Sequence, residues 1–180
     1  LLSLLKDYRH YDPAARSLLE VLLLYPGIKA IVFYRIANFL WRLRIPFLPR
    51  FFSEFARFIS GIEIHPAATI GEGLIIDHGM GVVVGETAII GDHVIMYQGV
   101  SLGGTSLAQK KRHPTVGNHV VIGAGAKILG DITIGNHCRI GANSVVIQSI
   151  PDECTVVGIP AKIIARKMNQ GEELNHDFII

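Results

Sequence analysis

Aliphatic and small residues recur every six positions through the second part of this chain. Ile64, Ile70, Ile76, Val82, Ala88, Val94 and Val100 fall six apart, and the series resumes at Val116, Ile122, Ile128, Ile134, Ile140 and Val146. Glycine follows several of them, at Gly71, Gly117, Gly123, Gly135 and Gly141. Six is neither the helical period nor simple strand alternation; sustained, it is the mark of a parallel β-helix. Each hexapeptide supplies a short strand and a turn, three close a triangular coil, and coils stack at about 4.8 Å through backbone ladders. On this reading residue i lies on i+18, so Ile64, Val82 and Val100 share an interior column. The fold class is mainly β: a coil of hexapeptide repeats behind an α-helical N-terminal cap.

The repeat is interrupted once. From Val100 to Val116 is sixteen residues, one hexapeptide and ten more. The excess is expected to leave the coil as a loop from Gly103-Gly104-Thr105 to Lys110-Lys111-Arg112-His113-Pro114, and an insertion in a regular solenoid is where function concentrates. Ahead of the coil the pattern is helical. Asp12-Pro13 reads as a helix start, followed by Leu18, Leu19, Val21, Leu22 and Leu23 and a break at Tyr25-Pro26-Gly27. A second helix is expected over 28–43, ended by Pro46 and Pro49. A third over 50–60 carries Phe51, Phe52, Phe55, Phe58 and Ile59 as core or subunit contact. The expected organisation is a helical cap, 1–61; a coil, 62–160, with an inserted loop, 101–115; and a C-terminal helix (161–168) with a flexible tail to residue 180.

Composition narrows the function. Hydrophobic residues make up 49% and charged ones 18%, which supports a packed core. A net charge of +2 gives no electrostatic footprint for nucleic acid. The apolar run 18–24 is too short to span a bilayer, and 28–48 is broken by Lys29, Arg35, Asn38, Arg42 and Arg44, so no membrane is expected. Cys138 and Cys154 have neither ligand nor redox spacing and suggest a reducing compartment. With no signal-peptide pattern in view, the expected location is cytoplasmic.

Four segments carry a more specific signal: Ile62-Glu63-Ile64-His65-Pro66-Ala67, then Asp77-His78-Gly79-Met80-Gly81 with Gly85-Glu86-Thr87, then Ser101-Leu102-Gly103-Gly104-Thr105, then Arg112-His113-Pro114. In this order they resemble the serine O-acetyltransferases. The likeness extends to Asp12-Pro13-Ala14, Tyr34-Arg35-Ile36-Ala37, the stretch 123–130 and Gly158-Ile159-Pro160-Ala161. The resemblance implies a left-handed coil, against the usual right-handed parallel crossover. It implies transfer of acetyl from acetyl-CoA to the hydroxyl of L-serine, giving O-acetyl-L-serine for cysteine synthesis.

A serine hydroxyl needs a base near neutral pH, and histidine titrates in that range. His78 matches the family's catalytic histidine. Glu63 matches its dyad carboxylate, which is Asp in the enterobacterial pattern; a carboxylate on the second ring nitrogen orients the base. Arg112 and His113 match the pair that holds the substrate carboxylate, for which the guanidinium fork is suited. Asp12 and Asp77 match the groups that hold its ammonium. The Gly104 N–H matches the oxyanion donor. Acetyl-CoA is expected near Gly104, Thr105, Ala124, Gly125 and Lys127, with Lys162 by its phosphates. The resemblance also implies a trimer or a dimer of trimers, L-cysteine as feedback inhibitor, and O-acetylserine sulfhydrylase as a partner that takes the terminal Ile180.

Three other readings stay open. Zinc-dependent carbonic anhydrases also use hexapeptide coils, and His78, His113 and His119 have a loosely similar spacing, although a zinc site needs its ligands to converge; the expectation is no metal. The acceptor could instead be a sugar or a xenobiotic. A non-catalytic scaffold is the third.

Overall fold

The computed structural model describes residues 1–165. Four helices come first: α1 (Leu2–Tyr11), α2 (Leu18–Leu24), α3 (Pro26–Arg42) and α4 (Leu48–Ser60). Asp12 does not start a helix, as the sequence had suggested; it ends α1 in extended backbone. Its Oδ1 accepts from the Ala14 N–H at 2.8 Å, a local bond that competes with helix. Ser17 caps α2 instead, its Oγ accepting from Glu20 N at 3.1 Å. Pro49 does not stop α3 but sits in the first turn of α4, where a missing N–H costs nothing.

The coil follows as two- to five-residue strands. The first turn holds β1 (Glu63–Ile64), β2 (Thr69–Ile70) and β3 (Ile75–Ile76); the second holds β4 (Val83–Val84), β5 (Ile89–Ile90) and β6 (Ile95–Met96). The third holds β7 (Ser101–Gly103), β8 (Thr115–Val116) and β9 (Val121–Ile122), and the fourth β10 (Lys127–Leu129), β11 (Thr133–Ile134) and β12 (Arg139–Ile140). The last has β13 (Val145–Val146), a bridge from Ile150 to Ile134, and β14 (Cys154–Gly158). Stacking gives three parallel sides: side one is β1-β4-β7-β10-β13, side two β2-β5-β8-β11, and side three β3-β6-β9-β12-β14.

The register corrects the simple i+18 column. Ile64 lies beside Val84, not Val82, and Val84 lies beside Leu102, not Val100. Two extra residues therefore enter between β3 and β4, around His78, and eight between β7 and β8. The sequence pattern had put all ten in one loop. The reason is strand alternation: residues i and i−2 both point inward. Val82, Ala88, Val94 and Val100 form a second inward row, each no more than 1% exposed, so the slip of two leaves an unbroken apolar series.

The helical cap closes the first turn of the coil. An open sheet edge exposes unpaired backbone groups, and cap side chains meet them here. Ser53 Oγ donates to the Ile64 carbonyl at 2.7 Å, Asn38 Nδ2 to Pro66 O at 2.7 Å and Tyr34 Oη to Ala68 O at 2.6 Å. Ile76 N donates to the buried Tyr8 Oη at 2.7 Å. At the far end, the expected C-terminal helix is absent from its first part. Ala161–Ala165 is a strand, β15, paired antiparallel to β14. Gly158, at φ +100°, turns the chain back, and the adjacent β-branched Ile163 and Ile164 favour strand over helix.

Candidate active site

The expected chemical groups collect at the two places where the coil departs from its six-residue step. They lie at opposite edges of side one.

The first cluster occupies the edge between sides three and one. His78 sits in the two-residue insertion with φ +57°, a left-handed conformation that histidine tolerates better than bulkier residues. Its side chain is 76% exposed, and Asp77 Oδ1 lies 3.9 Å from its Nε2. Glu63 is half-buried on β1, beside Val83. No ion pair joins it to His78 among the described residues; within one chain the carboxylate at ion-pair distance is Asp77. Asp12 comes to this edge from the cap, accepting a hydrogen bond from the Tyr25 hydroxyl. The Tyr11 hydroxyl bonds to that of Tyr97, which follows β6. The phenols of Tyr11, Tyr25 and Tyr97 are all pushed up, first by burial, and Asp77 adds to each. Asp12, Asp77 and three neutral phenols thus make an acidic, cation-receiving wall beside His78.

The second cluster occupies the edge between sides one and two. The loop from β7 returns here, and its Arg112 Nη2 donates to Glu86 Oε2. This bond, ahead of the guanidinium charge itself, holds the Glu86 carboxyl below its ordinary value; burial works the other way. The His113 ring is buried against Gly85 and Thr87, and its pKa is lowered by burial and by Arg112. A Cβ on Gly85 would sit 2.0 Å from the ring's Cδ2, so only glycine leaves room for it. Gly104 is tight but less so: a Cβ there would be 3.2 Å from both His113 Nε2 and the Arg112 carbonyl. Lys111 Nζ is 3.8 Å from Asp131 Oδ1.

The residues expected to hold acetyl-CoA are dispersed. Ala124 and Gly125 lie at the first edge, after β9. Lys127 Nζ donates to the Gly99 carbonyl, bracing that edge. Thr105 packs near Gly130 at the second edge. Lys162 is exposed on β15, and Ile180 lies outside the described residues. Within one chain His78, His113 and His119 stand at three different edges of the triangle. Among the described residues no three potential ligands cluster for a metal.

Sequence reading missed Tyr11, Tyr25 and Tyr97, and took neither Gly85 nor Thr87 as functional. Thr87 precedes His113 by the same twenty-six residues that separate the paired Ile89 and Thr115, a register that only the structure shows.

A three-sided coil of hexapeptides with its polar chemistry on the edges defines a hexapeptide-repeat transferase. The family model described as bacterial transferase hexapeptide (six repeats) matches residues 113–148. A serine acetyltransferase of Synechococcus elongatus is 54% identical over 92% of this chain and 68% of its own. One from Helicobacter pylori is 59% identical over 86% of this chain and 91% of its own. Among solved structures, Neisseria gonorrhoeae serine acetyltransferase in complex with serine superposes with a TM-score of 0.85 at 42% identity, over 89% of this chain and 66% of that one. Serine acetyltransferase complexes with CoA and with cysteine give TM-scores of 0.83 and 0.88 at 44% and 43% identity, over 89% and 91% of this chain. This chain spans 66% and 64% of those two in turn. The chain belongs to the serine acetyltransferase family, and its coil is the left-handed β-helix.

Proposed function

We propose that this chain transfers the acetyl group of acetyl-CoA to the L-serine hydroxyl, releasing O-acetyl-L-serine and CoA for cysteine synthesis, at a site completed by a neighbouring copy. The observation that carries the reading is the separation of the two clusters. A serine zwitterion needs an anionic pocket for its ammonium and a cationic one for its carboxylate. One edge of side one supplies Asp12 and Asp77 beside His78; the other supplies Arg112 and His113. A threefold ring would set the first edge of one copy against the second edge of the next, giving three equal sites. Exposed Phe51, Phe55 and Phe58 on α4 offer apolar contact for pairing such trimers.

In the assembled site His78 takes the proton from the serine hydroxyl as it attacks the thioester carbonyl. Asp77 Oδ1 lies 3.9 Å from the His78 ring; the partner assigned to the base is Glu63, by its match to the family's dyad carboxylate, with Asp77 on the ammonium. Arg112 and the neutral His113 ring bind the carboxylate. The Gly104 N–H stabilises the tetrahedral oxyanion, and His78 returns the proton to the departing thiolate. Acetyl-CoA lies between the facing edges, near Thr105 on one and Ala124, Gly125 and Lys127 on the other, with Lys162 toward its phosphates. L-Cysteine shares the carboxylate and ammonium of serine and competes for the same groups.

No helix of the described residues is long and apolar enough to cross a membrane. Two buried free thiols, Cys138 and Cys154, suit a reducing cytoplasm. The terminal Ile180 carboxylate is proposed to enter O-acetylserine sulfhydrylase, since a free C-terminus beside an apolar side chain is a recurrent recognition element. The decisive assay follows CoA release with serine, homoserine, threonine and a sugar as acceptors. Preference for serine supports the function; a sugar preference overturns it. Deleting Ile180 should abolish sulfhydrylase binding and spare acetyl transfer.

A further inference from the structure

Thr87 makes more directed contacts to the inserted loop than any substrate role requires of it. Its Oγ1 accepts from the backbone N–H of Arg112 at 3.0 Å and of His113 at 3.1 Å. The same oxygen lies 2.9 Å from His113 Nδ1, and the Thr87 backbone N–H donates to that nitrogen at 3.2 Å. A hydroxyl has two lone pairs and one hydrogen. With both lone pairs engaged by the loop, its hydrogen is directed to Nδ1. Nδ1 then accepts from two donors and has no room for a proton of its own. In a neutral ring the proton must be on Nε2.

We propose that Thr87 is a positioning residue that fixes the tautomer of His113, keeping the ring neutral and turning an Nε2–H donor toward the Gly104 side of the site. The placement of Nε2 agrees. It faces the two glycines, 2.2 Å from where a Gly85 Cβ would be and 3.2 Å from where a Gly104 Cβ would be. An Nδ1–H, in either the other tautomer or the imidazolium, would point at the Thr87 N–H and force Oγ1 to accept a third hydrogen. The charges around the ring are mixed. Arg112 and Lys111 on the loop oppose a second cation, and Glu86 on the second turn favours one. His65, on the first turn, is itself lowered to about 4, mainly by burial and also by Arg50, so it adds no positive charge near neutral pH. Thr87 decides between these influences through geometry. The carboxylate then meets one cation and one neutral donor, which limits the cost of desolvating the pair.

The inference rests on the serine acetyltransferase reading for what Nε2–H binds, but not for the tautomer. The test therefore begins on the free protein, with ¹⁵N–¹H long-range correlation spectra of the histidine rings, His113 assigned by its loss in His113→Gln. Wild type and Thr87→Ser should show a pyridine-like Nδ1 and a protonated Nε2 that persist below the usual histidine range. In Thr87→Val, of nearly the same shape, the tautomers should mix and the ring should protonate at higher pH. Serine KM should rise about ten- to a hundredfold in Thr87→Val, the cost of disturbing a bond to a charged partner. It should gain an ionisation in its pH profile, with Thr87→Ser close to wild type. A proton on Nδ1 in the wild-type ring overturns the proposal even if Thr87→Val fails to fold. So does a Thr87→Val protein whose ring spectrum and pH profile match wild type, whatever its KM. Failure of serine as a substrate would count against the function and leave the tautomer result standing.

Discussion

Glu86 and Arg112 are twenty-six residues apart in sequence and joined side chain to side chain across one turn of the coil. The guanidinium assigned to the substrate carboxylate is thus already held by a carboxylate of its own chain. Glu86 orients the fork before substrate arrives, and the arriving carboxylate shares or replaces it. Arg112→Ala should raise serine KM by roughly ten- to a hundredfold, leave acetyl-CoA binding nearly intact, and let the Glu86 pKa climb back to the ordinary carboxylate range. A change confined to the acetyl-CoA constant would make Arg112 a phosphate ligand instead. The pair's stabilising effect is present above the unfolded carboxylate pKa and fades as pH falls through the lowered folded value. Being partly exposed, it contributes no more than about 1 kcal/mol. Carbon-detected titration of Glu86 in both proteins reads this directly.

Two carboxylates, Glu63 and Asp77, are candidates to partner His78, and they make separable predictions. His78→Ala should lower kcat by about two to four orders of magnitude, the usual loss for a general base. Glu63→Gln should reduce kcat less, with serine KM little changed, because an orienting group acts on the base. Asp77→Asn should act mainly on serine KM, because Asp77 is assigned to the ammonium. If Asp77→Asn carries the kcat loss and Glu63→Gln is silent, the dyad partner is Asp77, as its 3.9 Å separation from the ring allows.

Gly85 is required by shape alone, since its φ is not in the left-handed region and alanine could adopt its backbone. Gly85→Ala should push the His113 ring aside, costing about 1–3 kcal/mol of stability through overpacking and a larger share of serine affinity. Thermal unfolding and serine KM measured together check this. An unchanged KM would mean that the ring is free to move without consequence.

The repeat and the helical cap were legible in the sequence, because a six-residue apolar period and helical spacing survive without coordinates. The slip at His78 was not legible: both inward rows are aliphatic, so Val82 looks as regular as Val84. The end of the coil was misread for a related reason. Residues 161–165 carry no period that separates helix from strand until β14 offers a pairing edge. Thr87 and the tyrosines were hidden because their roles depend on partners one turn of the coil or a whole helix away. Asp12-Pro13 reads locally as a helix start, yet Asp12 ends α1 and accepts from Tyr25, a partner that no local spacing reveals.

In the proposed assembly each working site takes its base from one chain and its carboxylate ligands from the next. A direct test mixes two proteins that are each impaired at low serine, His78→Ala in turnover and Arg112→Ala in serine binding, by unfolding and refolding them together at equal amounts. In a threefold ring with random assembly, about a quarter of the sites should pair an intact His78 with an intact Arg112. Activity at low serine should then recover to about that fraction of wild type, far above either protein refolded alone. No recovery, with mixed oligomers demonstrated by mass spectrometry, would mean that the base and its carboxylate ligands serve one site within a single chain.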